Sequence, residues 1–186
     1  MVDLLHDIEL GKDFPQVVNA IIEIPKGSSV KYELDKKTGA IKMDRVLHTS
    51  QYYPADYGYI PRTHWHDGDP LDVLVLSNFP LLPGTIAEII PIAVLEMIDS
   101  GEADEKIIAV YKNDPRQDEI RELEDISPHT LKEIKHFFQT YKDLQNKIVE
   151  VKAYKDSTQA KKALEEGKRL YEKNLALEKL KNKRIS

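Results

Sequence analysis

The apolar residues of this 186-residue chain follow two different spacings, and these spacings limit its fold class. Up to residue 111 they form short β-branched runs, such as residues 17–23 and 71–76, and Pro, Gly or Asp bounds the runs. From Ser157 onward they recur every three or four residues, through Ala160, Leu164 and Leu170 to Leu180. The first pattern predicts strands and the second predicts an amphipathic helix, so we expect an α+β fold.

Further elements are predicted between these segments. They are a short helix around Leu4–Ile8 ending at Gly11, a hairpin of residues 30–34 and 40–43, an ordered loop over 51–70, two strands across 85–96 on either side of Pro91, a strand over 107–111, a helix after Ser127 and Pro128, and a last strand over 148–154. Short strands in this number favour closure into a small barrel, with two helices at the C-terminal end. We expect one domain spanning residues 1–186.

Composition excludes several function classes. Hydrophobic residues make up 41% and charged residues 32%, and no apolar run approaches the roughly 18 residues that span a bilayer. The absence of cysteine excludes disulfides and thiolate metal sites, so any metal must use oxygen or imidazole ligands. A net charge of −5 argues against nucleic-acid binding. The first residues include Asp3 and Asp7 and lack the basic segment with which a secretory signal begins. We therefore expect a cytoplasmic protein with no membrane partner.

The segment Asp67-Gly68-Asp69-Pro70-Leu71-Asp72 is the strongest local signal of chemistry. It places three carboxylates within six residues, with Gly and Pro allowing a tight turn. Like charges at such spacing repel one another, and a bound divalent cation removes the penalty. The alternative is a solvated acidic turn without function.

A second acidic group and a set of cationic and phenolic donors point beyond that alternative. The acidic group is Asp99, Glu102, Asp104 and Glu105, and the donors are Lys31, Arg45, Tyr53, Tyr57, Lys106, Tyr141 and Lys142. Carboxylates that hold Mg²⁺ beside cationic donors suit a polyanion such as phosphate. Solvated surface charge explains the acidic loop alone but not this combination.

Several ordered segments resemble the family I soluble inorganic pyrophosphatases of the short prokaryotic type. They are Glu23-Ile24-Pro25, Lys31-Tyr32-Glu33, Asp44-Arg45, residues 53–61 (YPADYGYIP), residues 67–73 (DGDPLDV) and residues 136–142 (HFFQTYK). The likeness spans about residues 15–155. It implies an OB-like five-stranded β-barrel flanked by two C-terminal helices, and an inorganic diphosphatase that hydrolyses pyrophosphate by direct attack of a metal-activated water.

The resemblance also implies roles for single residues. Asp67, Asp72 and Asp104 would hold the first Mg²⁺, with Asp72 also touching a second, and Asp99, Asp104 and Glu33 would serve further Mg²⁺ ions. Asp69 would be the general base, and Glu23 and Tyr53 would support the site. Lys31 and Tyr57 would bind the electrophilic phosphate, Arg45, Tyr141 and Lys142 the leaving one, with Lys106 nearby. The resemblance implies a homohexamer, and apolar side chains among residues 86–95 and 131–138 in excess of one small core would agree with it.

Other interpretations of the chain remain open at this point. One is a Mg-dependent nucleotide phosphohydrolase, and another is a non-catalytic phosphate- or oligonucleotide-binding barrel. Ser100 also stands where many family members carry an acidic residue. His64 and His66, which flank Trp65 just before the acidic motif, are either transition-metal ligands or part of a surface turn.

Overall fold

Five strands close into a barrel at the centre of the fold. The computed structural model describes residues 2–185, with side chains in the last helix described through residue 181 except at residue 178. The ring runs through β1 (Val18–Ile24), β4 (Asp56–Tyr59), β5 (Asp72–Leu76), β8 (Lys106–Tyr111) and β6 (Ile86–Asp99), and pairing of β6 with β1 closes it. The predicted α+β barrel of five strands is confirmed.

The remaining elements surround this ring. They are the hairpin of β2 (Val30–Asp35) and β3 (Ala40–Val46), the two-residue β7 (Glu102–Ala103) and β9 (Val149–Lys155), which both pair with β6, and the helices α1 (Pro128–Thr140) and α2 (Ser157–Ile185). Within the described residues, no helix combines the length and the apolar character that a membrane crossing requires.

Alternating side chains give the barrel wall two apolar faces. Leu74 of β5 and Ile108 of β8 belong to a buried cluster that includes Phe137 and other residues of α1. Their neighbours Val73 and Ile107 belong to a second buried cluster that includes residues of α2. Because side chains alternate along a strand, each helix covers its own set of alternate residues.

Several predicted elements agree closely with the structure. The hairpin pairs from Val30 with Val46 to Asp35 with Ala40, and strands β8 and β9 lie where the sequence predicts them. Helix α1 begins at Pro128 immediately after Ser127, as predicted, although the Ser127 hydroxyl makes no capping hydrogen bond. Helix α2 begins at Ser157 and runs through the predicted periodic segment.

The predicted N-terminal helix is wrong. Residues 4–7 form turns rather than a helix. The Asp3 carboxylate accepts the backbone N–H groups of Leu5 and His6 at 2.9 and 3.1 Å, as at a helix N-terminus, and the Asp7 N–H donates to the Asp3 carbonyl at 2.8 Å. The backbone does not continue beyond this single turn, and one turn alone is too short to be stable as a helix. Leu5 is instead buried against Ile21 and Tyr59.

Two predicted boundaries in the barrel are also wrong. The segment 51–70 is not all loop, since it contains β4, whose four residues are buried. The two strands predicted on either side of Pro91 are one 14-residue strand, β6. A register shift between Pro91 and Ala93 accommodates the missing proline N–H without ending the strand.

Most apolar side chains of β6 and α1 are buried within one chain. Ile89, Ile92, Leu95 and Ile134 are fully buried, and Phe138 is 1% exposed. Ile86, the first residue of β6, is in contrast 46% exposed. The expected excess of apolar side chains is therefore small in these two segments, and Ile86 provides it.

Candidate active site

A cavity of about 290 Å³ lies where β5 and β8 begin and β6 ends. All predicted site residues except Arg45 line it. These are Glu23, Lys31, Glu33, Tyr53, Tyr57, Asp67, Asp69, Asp72, Asp99, Asp104, Lys106, Tyr141 and Lys142. The fold thus brings together side chains from the hairpin, the barrel strands, two acidic loops and the end of α1.

The centre of the cavity is a cluster of charged and phenolic side chains around Asp72, which is half-buried beside the buried Lys106 and Tyr57. Asp72 and Lys106 are the first residues of the parallel strands β5 and β8 and are register partners. Lys106 Nζ donates to Asp72 Oδ2 at 2.5 Å and also pairs with Asp104, while Tyr57 donates its O–H to Asp72 Oδ2 at 2.5 Å. Burial alone would lower the pKa of Lys106, but the two carboxylates raise that pKa above its ordinary value. The ammonium therefore stays charged between them.

A second ion pair lies at the far end of β6. Lys142, just beyond α1, pairs with Asp99, and the Tyr141 hydroxyl lies 3.5 Å from Asp99 Oδ2. Burial favours the neutral form of Asp99, yet the hydrogen bond from Lys142 and its charge bring the pKa of Asp99 below its usual value. Ser100 donates to Asp99 Oδ1 at 2.9 Å, so this departure from the family pattern contacts the predicted ligand directly.

The hairpin contributes donors and acceptors at the cavity edge. Lys31 pairs with Glu33 on β2, and the backbone N–H of Leu34 donates to Glu23 Oε1 at 2.6 Å. Arg45 lies opposite Lys31 on β3 and pairs with Asp44 rather than lining the cavity. In the described part of the chain, the buried Nε of Arg45 has no hydrogen-bond partner.

The acidic motif forms a tight turn. Gly68 has a φ of 92°, and Asp67 Oδ1 accepts the backbone N–H of Asp69 at 3.0 Å. Lys36, which directly follows β2, pairs with Asp69 at 2.8 Å and lines the cavity. Lys36 was not predicted from the sequence, because nothing local distinguishes it from its neighbour Lys37.

The two histidines of the unusual segment do not gather into a metal site. The backbone N–H of His64 donates to the Gly167 carbonyl of α2 at 3.0 Å, and His66 Nε2 lies 3.6 Å from Glu166. These contacts attach the segment before the acidic turn to helix α2.

Negative charge exceeds positive charge within the cavity. Seven carboxyl groups and four lysines line it. Burial raises the pKa of Glu23 to about 8 and that of Asp67 to about 6, and neighbouring carboxylates add to both shifts. Carboxyl groups so perturbed in a cleft are typical of functional sites.

The donor set fits divalent cations. Among residues 2–185, no three aspartate, glutamate or histidine side chains are close enough together to ligate one ion as they stand. Lys106 nevertheless shows that a cation is stable between Asp72 and Asp104. Carboxylate oxygens in excess of their lysine partners are the ligands that Mg²⁺ prefers.

Comparison with known proteins identifies the family. The family model described as inorganic pyrophosphatase matches residues 20–172. A soluble inorganic pyrophosphatase of Zea mays is 50% identical over 166 residues, 89% of this chain and 78% of the relative. The crystal structure of the inorganic pyrophosphatase from Thermus thermophilus superimposes with a TM-score of 0.89 at 42% identity, covering 92% of this chain and 99% of that one.

A further solved structure agrees with that comparison. The inorganic pyrophosphatase of Helicobacter pylori matches with a TM-score of 0.85 at 44% identity, over 89% of this chain and 98% of that one. Family, relatives and structures together support the pyrophosphatase interpretation over a nucleotide phosphohydrolase and over a non-catalytic barrel. The chain is a hydrolase that belongs to the inorganic pyrophosphatase family.

Proposed function

We propose that this chain hydrolyses inorganic pyrophosphate to two phosphates by direct attack of water, with several Mg²⁺ ions in the cavity. The observation that carries the proposal is the excess of carboxylates over lysines in the cavity, six to four when the protonated Glu23 is left out, beside donors suited to phosphate. A polyanionic substrate would be repelled by such a site unless cations entered with it. The site therefore suits a substrate that arrives with metal ions.

The metal ligands of the proposal come from three segments. Asp67, Asp72 and Asp104 would hold the first ion, Asp72 would reach a second, and Asp99 and Glu33 would serve the others. Bound Mg²⁺ lowers the pKa of water and shares the charge of phosphate oxygens. Glu23, buried behind these ligands, accepts the Leu34 N–H at 2.6 Å and fixes β2 against β1.

Asp69 acts as the general base in this proposal. Its carboxylate stands at the cavity edge on the tight turn, where Lys36 holds it at 2.8 Å. A base must lie within hydrogen-bond reach of the water whose proton it accepts. The turn keeps Asp69 beside Asp67 and Asp72 without burying it.

The cationic and phenolic donors bind the two ends of the substrate. Lys31 and Tyr57 would hold the phosphate that is attacked, and Arg45, Tyr141 and Lys142 the one that leaves. Lys31 and Lys142 now pair with Glu33 and Asp99, so substrate oxygens would replace carboxylates as their partners. Arg45 does not line the cavity, so its guanidinium would have to turn from Asp44 toward the substrate to bind it.

Phosphate release from pyrophosphate and from ATP, each with Mg²⁺ at matched ionic strength, tests the proposal. We expect a far larger kcat/KM for pyrophosphate, because no base-binding element accompanies the phosphate donors, and no hydrolysis after a chelator removes the cation. Equal or greater kcat/KM for ATP would favour a nucleotide phosphohydrolase. Undiminished hydrolysis without metal would contradict the mechanism.

The proposal extends to the whole protein. It includes a single domain over residues 1–186, a cytoplasmic location, a homohexamer, and no nucleic-acid or membrane partner. The net charge of −5 supports the exclusion of nucleic acid.

A further inference from the structure

Trp65 is the single tryptophan of the chain, and it lies two residues before Asp67. Its side chain is buried, with 6% exposed. The indole Nε1–H donates to Glu105 Oε2 at 2.5 Å. Glu105 lies between Asp104 and Lys106, so this bond joins the acidic turn to the second acidic loop.

The backbone of Trp65 also holds the acidic turn itself. Its N–H donates to the Asp69 carbonyl at 2.7 Å, and its carbonyl accepts the Gly68 N–H at 3.2 Å. The same residue therefore fixes the local shape of the turn through its backbone and its place in the site through its side chain.

The bond between Trp65 and Glu105 opposes a repulsion. Asp67 and Asp104 are close enough for the charge of Asp104 to raise the pKa of Asp67. Within residues 2–185, the indole bond is the one hydrogen bond between the turn of residues 61–71 and the loop of residues 99–105. Without it, like charges would favour a wider separation of the two loops.

We propose that Trp65 and Glu105 form a positioning pair that limits how far the loops bearing Asp67 and Asp104 can separate, and so keeps both carboxylates available to one divalent cation. This inference rests on the proposed metal ligands. Limiting that separation lowers the cost of gathering the ligands, so the pair raises metal affinity without touching the ion. Partners of this kind, one shell outside the ligands, typically change metal affinity or activity by about 10- to 100-fold.

A purely structural role for Trp65 is the competing explanation. Its ring packs in the buried cluster with Ile60 and Leu71. The substitution Trp65→Phe keeps an aromatic ring there and removes only the N–H donor. The substitution Glu105→Gln keeps an acceptor oxygen and removes the charge, while Glu105→Ala removes both.

Calorimetric titration with Mg²⁺ alone, without substrate, separates these explanations. We expect Trp65→Phe and Glu105→Ala each to raise the Mg²⁺ Kd by about tenfold, with Glu105→Gln staying within about twofold of wild type. The double variant Trp65→Phe/Glu105→Ala is expected to match either single variant. Glu102→Ala, which removes an exposed carboxylate from the same loop, is the control and should leave the Kd unchanged.

Fluorescence supplies a second readout, since every tryptophan signal comes from Trp65. We expect Mg²⁺ to change the emission of wild type, and Glu105→Ala to shift the midpoint of that titration to higher Mg²⁺. If Trp65→Phe fails to fold by circular dichroism, the two Glu105 variants decide the matter, because they retain the indole ring.

Three outcomes would overturn the positioning role. They are wild-type affinity in Trp65→Phe, an equal loss in Glu105→Gln and Glu105→Ala, and additive losses in the double variant. Failure of the proposed function looks different. A wild-type protein that binds Mg²⁺ but does not hydrolyse pyrophosphate would remove the function and leave the pair intact.

Discussion

At the scale of single residues, Asp69 and Asp72 have different environments despite their proximity in sequence. Asp72 is half-buried and bonds to the buried Lys106 and Tyr57, whereas Asp69 is exposed and pairs with Lys36. A partly buried carboxylate that is fixed by its neighbours suits a ligand that holds an ion, and exposure suits a base that receives a proton from water. Their roles should therefore separate experimentally.

We expect Asp72→Asn to weaken both Mg²⁺ binding and turnover. Asp69→Asn is expected to lower kcat by about 10²- to 10⁴-fold, the usual contribution of a general base, with little change in Mg²⁺ affinity. Calorimetry and steady-state kinetics on both variants check this. Equal Mg²⁺ affinity in wild type and Asp72→Asn would show that the assignment of Asp72 is wrong.

Asp56 provides a pH-dependent prediction away from the metal ligands. It is fully buried, and it accepts N–H groups from Lys26 and Leu81 and the Tyr111 O–H. Burial raises the pKa of Asp56, although these donors oppose the shift. The folded chain thus keeps the proton to higher pH than the unfolded chain, whose pKa is about 3.9.

The stability contributed by Asp56 is therefore fully present below the unfolded pKa and is lost as pH rises through the folded pKa. Asp56→Asn should cost about 1–3 kcal/mol through an unsatisfied N–H, and its deficit relative to wild type should shrink as pH rises from 4. Urea unfolding across pH measures this. In the opposite-sign control Asp125→Asn, the deficit should grow with pH, because backbone N–H groups lower the pKa of Asp125. A constant or growing deficit for Asp56→Asn would contradict the expectation.

The residue scale also shows where sequence reasoning stops. The residues that line the cavity were largely predictable, because carboxylates, lysines and tyrosines in ordered motifs resemble a known family. Lys36 and the bond between Trp65 and Glu105 were not, since the bond joins residues 40 positions apart and depends on how two loops pack. Local sequence carries no signal for such contacts.

At the scale of elements, strand β4, which was not predicted from the sequence, pairs with β1 at a very short backbone-to-backbone distance. A Cβ on Gly58 of β4 would lie 1.8 Å from the carbonyl oxygen of Ile21 on β1. Only glycine allows these two strands to pair at this point. The β4 strand also carries Tyr57, which lines the site. Glycine at position 58 therefore helps to fix the position of the neighbouring Tyr57 side chain.

We expect Gly58→Ala to destabilise the protein by at least about 3 kcal/mol, the upper range for overpacking. Gly84→Ala is the matched control. Its φ of 86° is left-handed, but the nearest atom to an added Cβ is 3.8 Å away on Ile41. The control should lose only about 1–2 kcal/mol. Thermal and urea unfolding compare the two, and equal losses would contradict the steric argument.

The same physics explains which elements were predictable. The hairpin, α1 and α2 have local signals, namely alternation, a proline at the first helical position and three-to-four spacing. In contrast, β4 contains Asp and Gly, which disfavour strands, and it exists because β1 and β5 pair with it. Strand β6 continues past Pro91 because a bulge absorbs the missing donor. Gly167, a weak helix former within α2, allows close contact with Thr63 beside the acidic turn.

At the scale of the whole molecule, two groups of exposed apolar side chains lie at opposite ends of β6. Ile86 opens that strand, and Phe79 and Leu82 precede it, with 46%, 59% and 79% of their surfaces exposed. At the other end, Ile148 is 83% exposed, and its carbonyl accepts the N–H of Ser100, which directly follows β6. The nearby Leu144 is 69% exposed. Such groups are candidates for contacts between copies of the chain.

A homohexamer with two kinds of interface would cover both groups, because a closed assembly of three dimers needs two distinct contact surfaces. We expect light scattering to give six times the 21.4 kDa chain mass at micromolar concentration. Leu82→Lys and Ile148→Lys should each disrupt one kind of contact and leave smaller assemblies, and the double variant should be a monomer. Leu177→Lys, a change on an exposed position of α2, is the control and should keep the full mass. A monomeric wild type would refute the hexamer, and hexamers that persist in both variants would show that other surfaces join the copies.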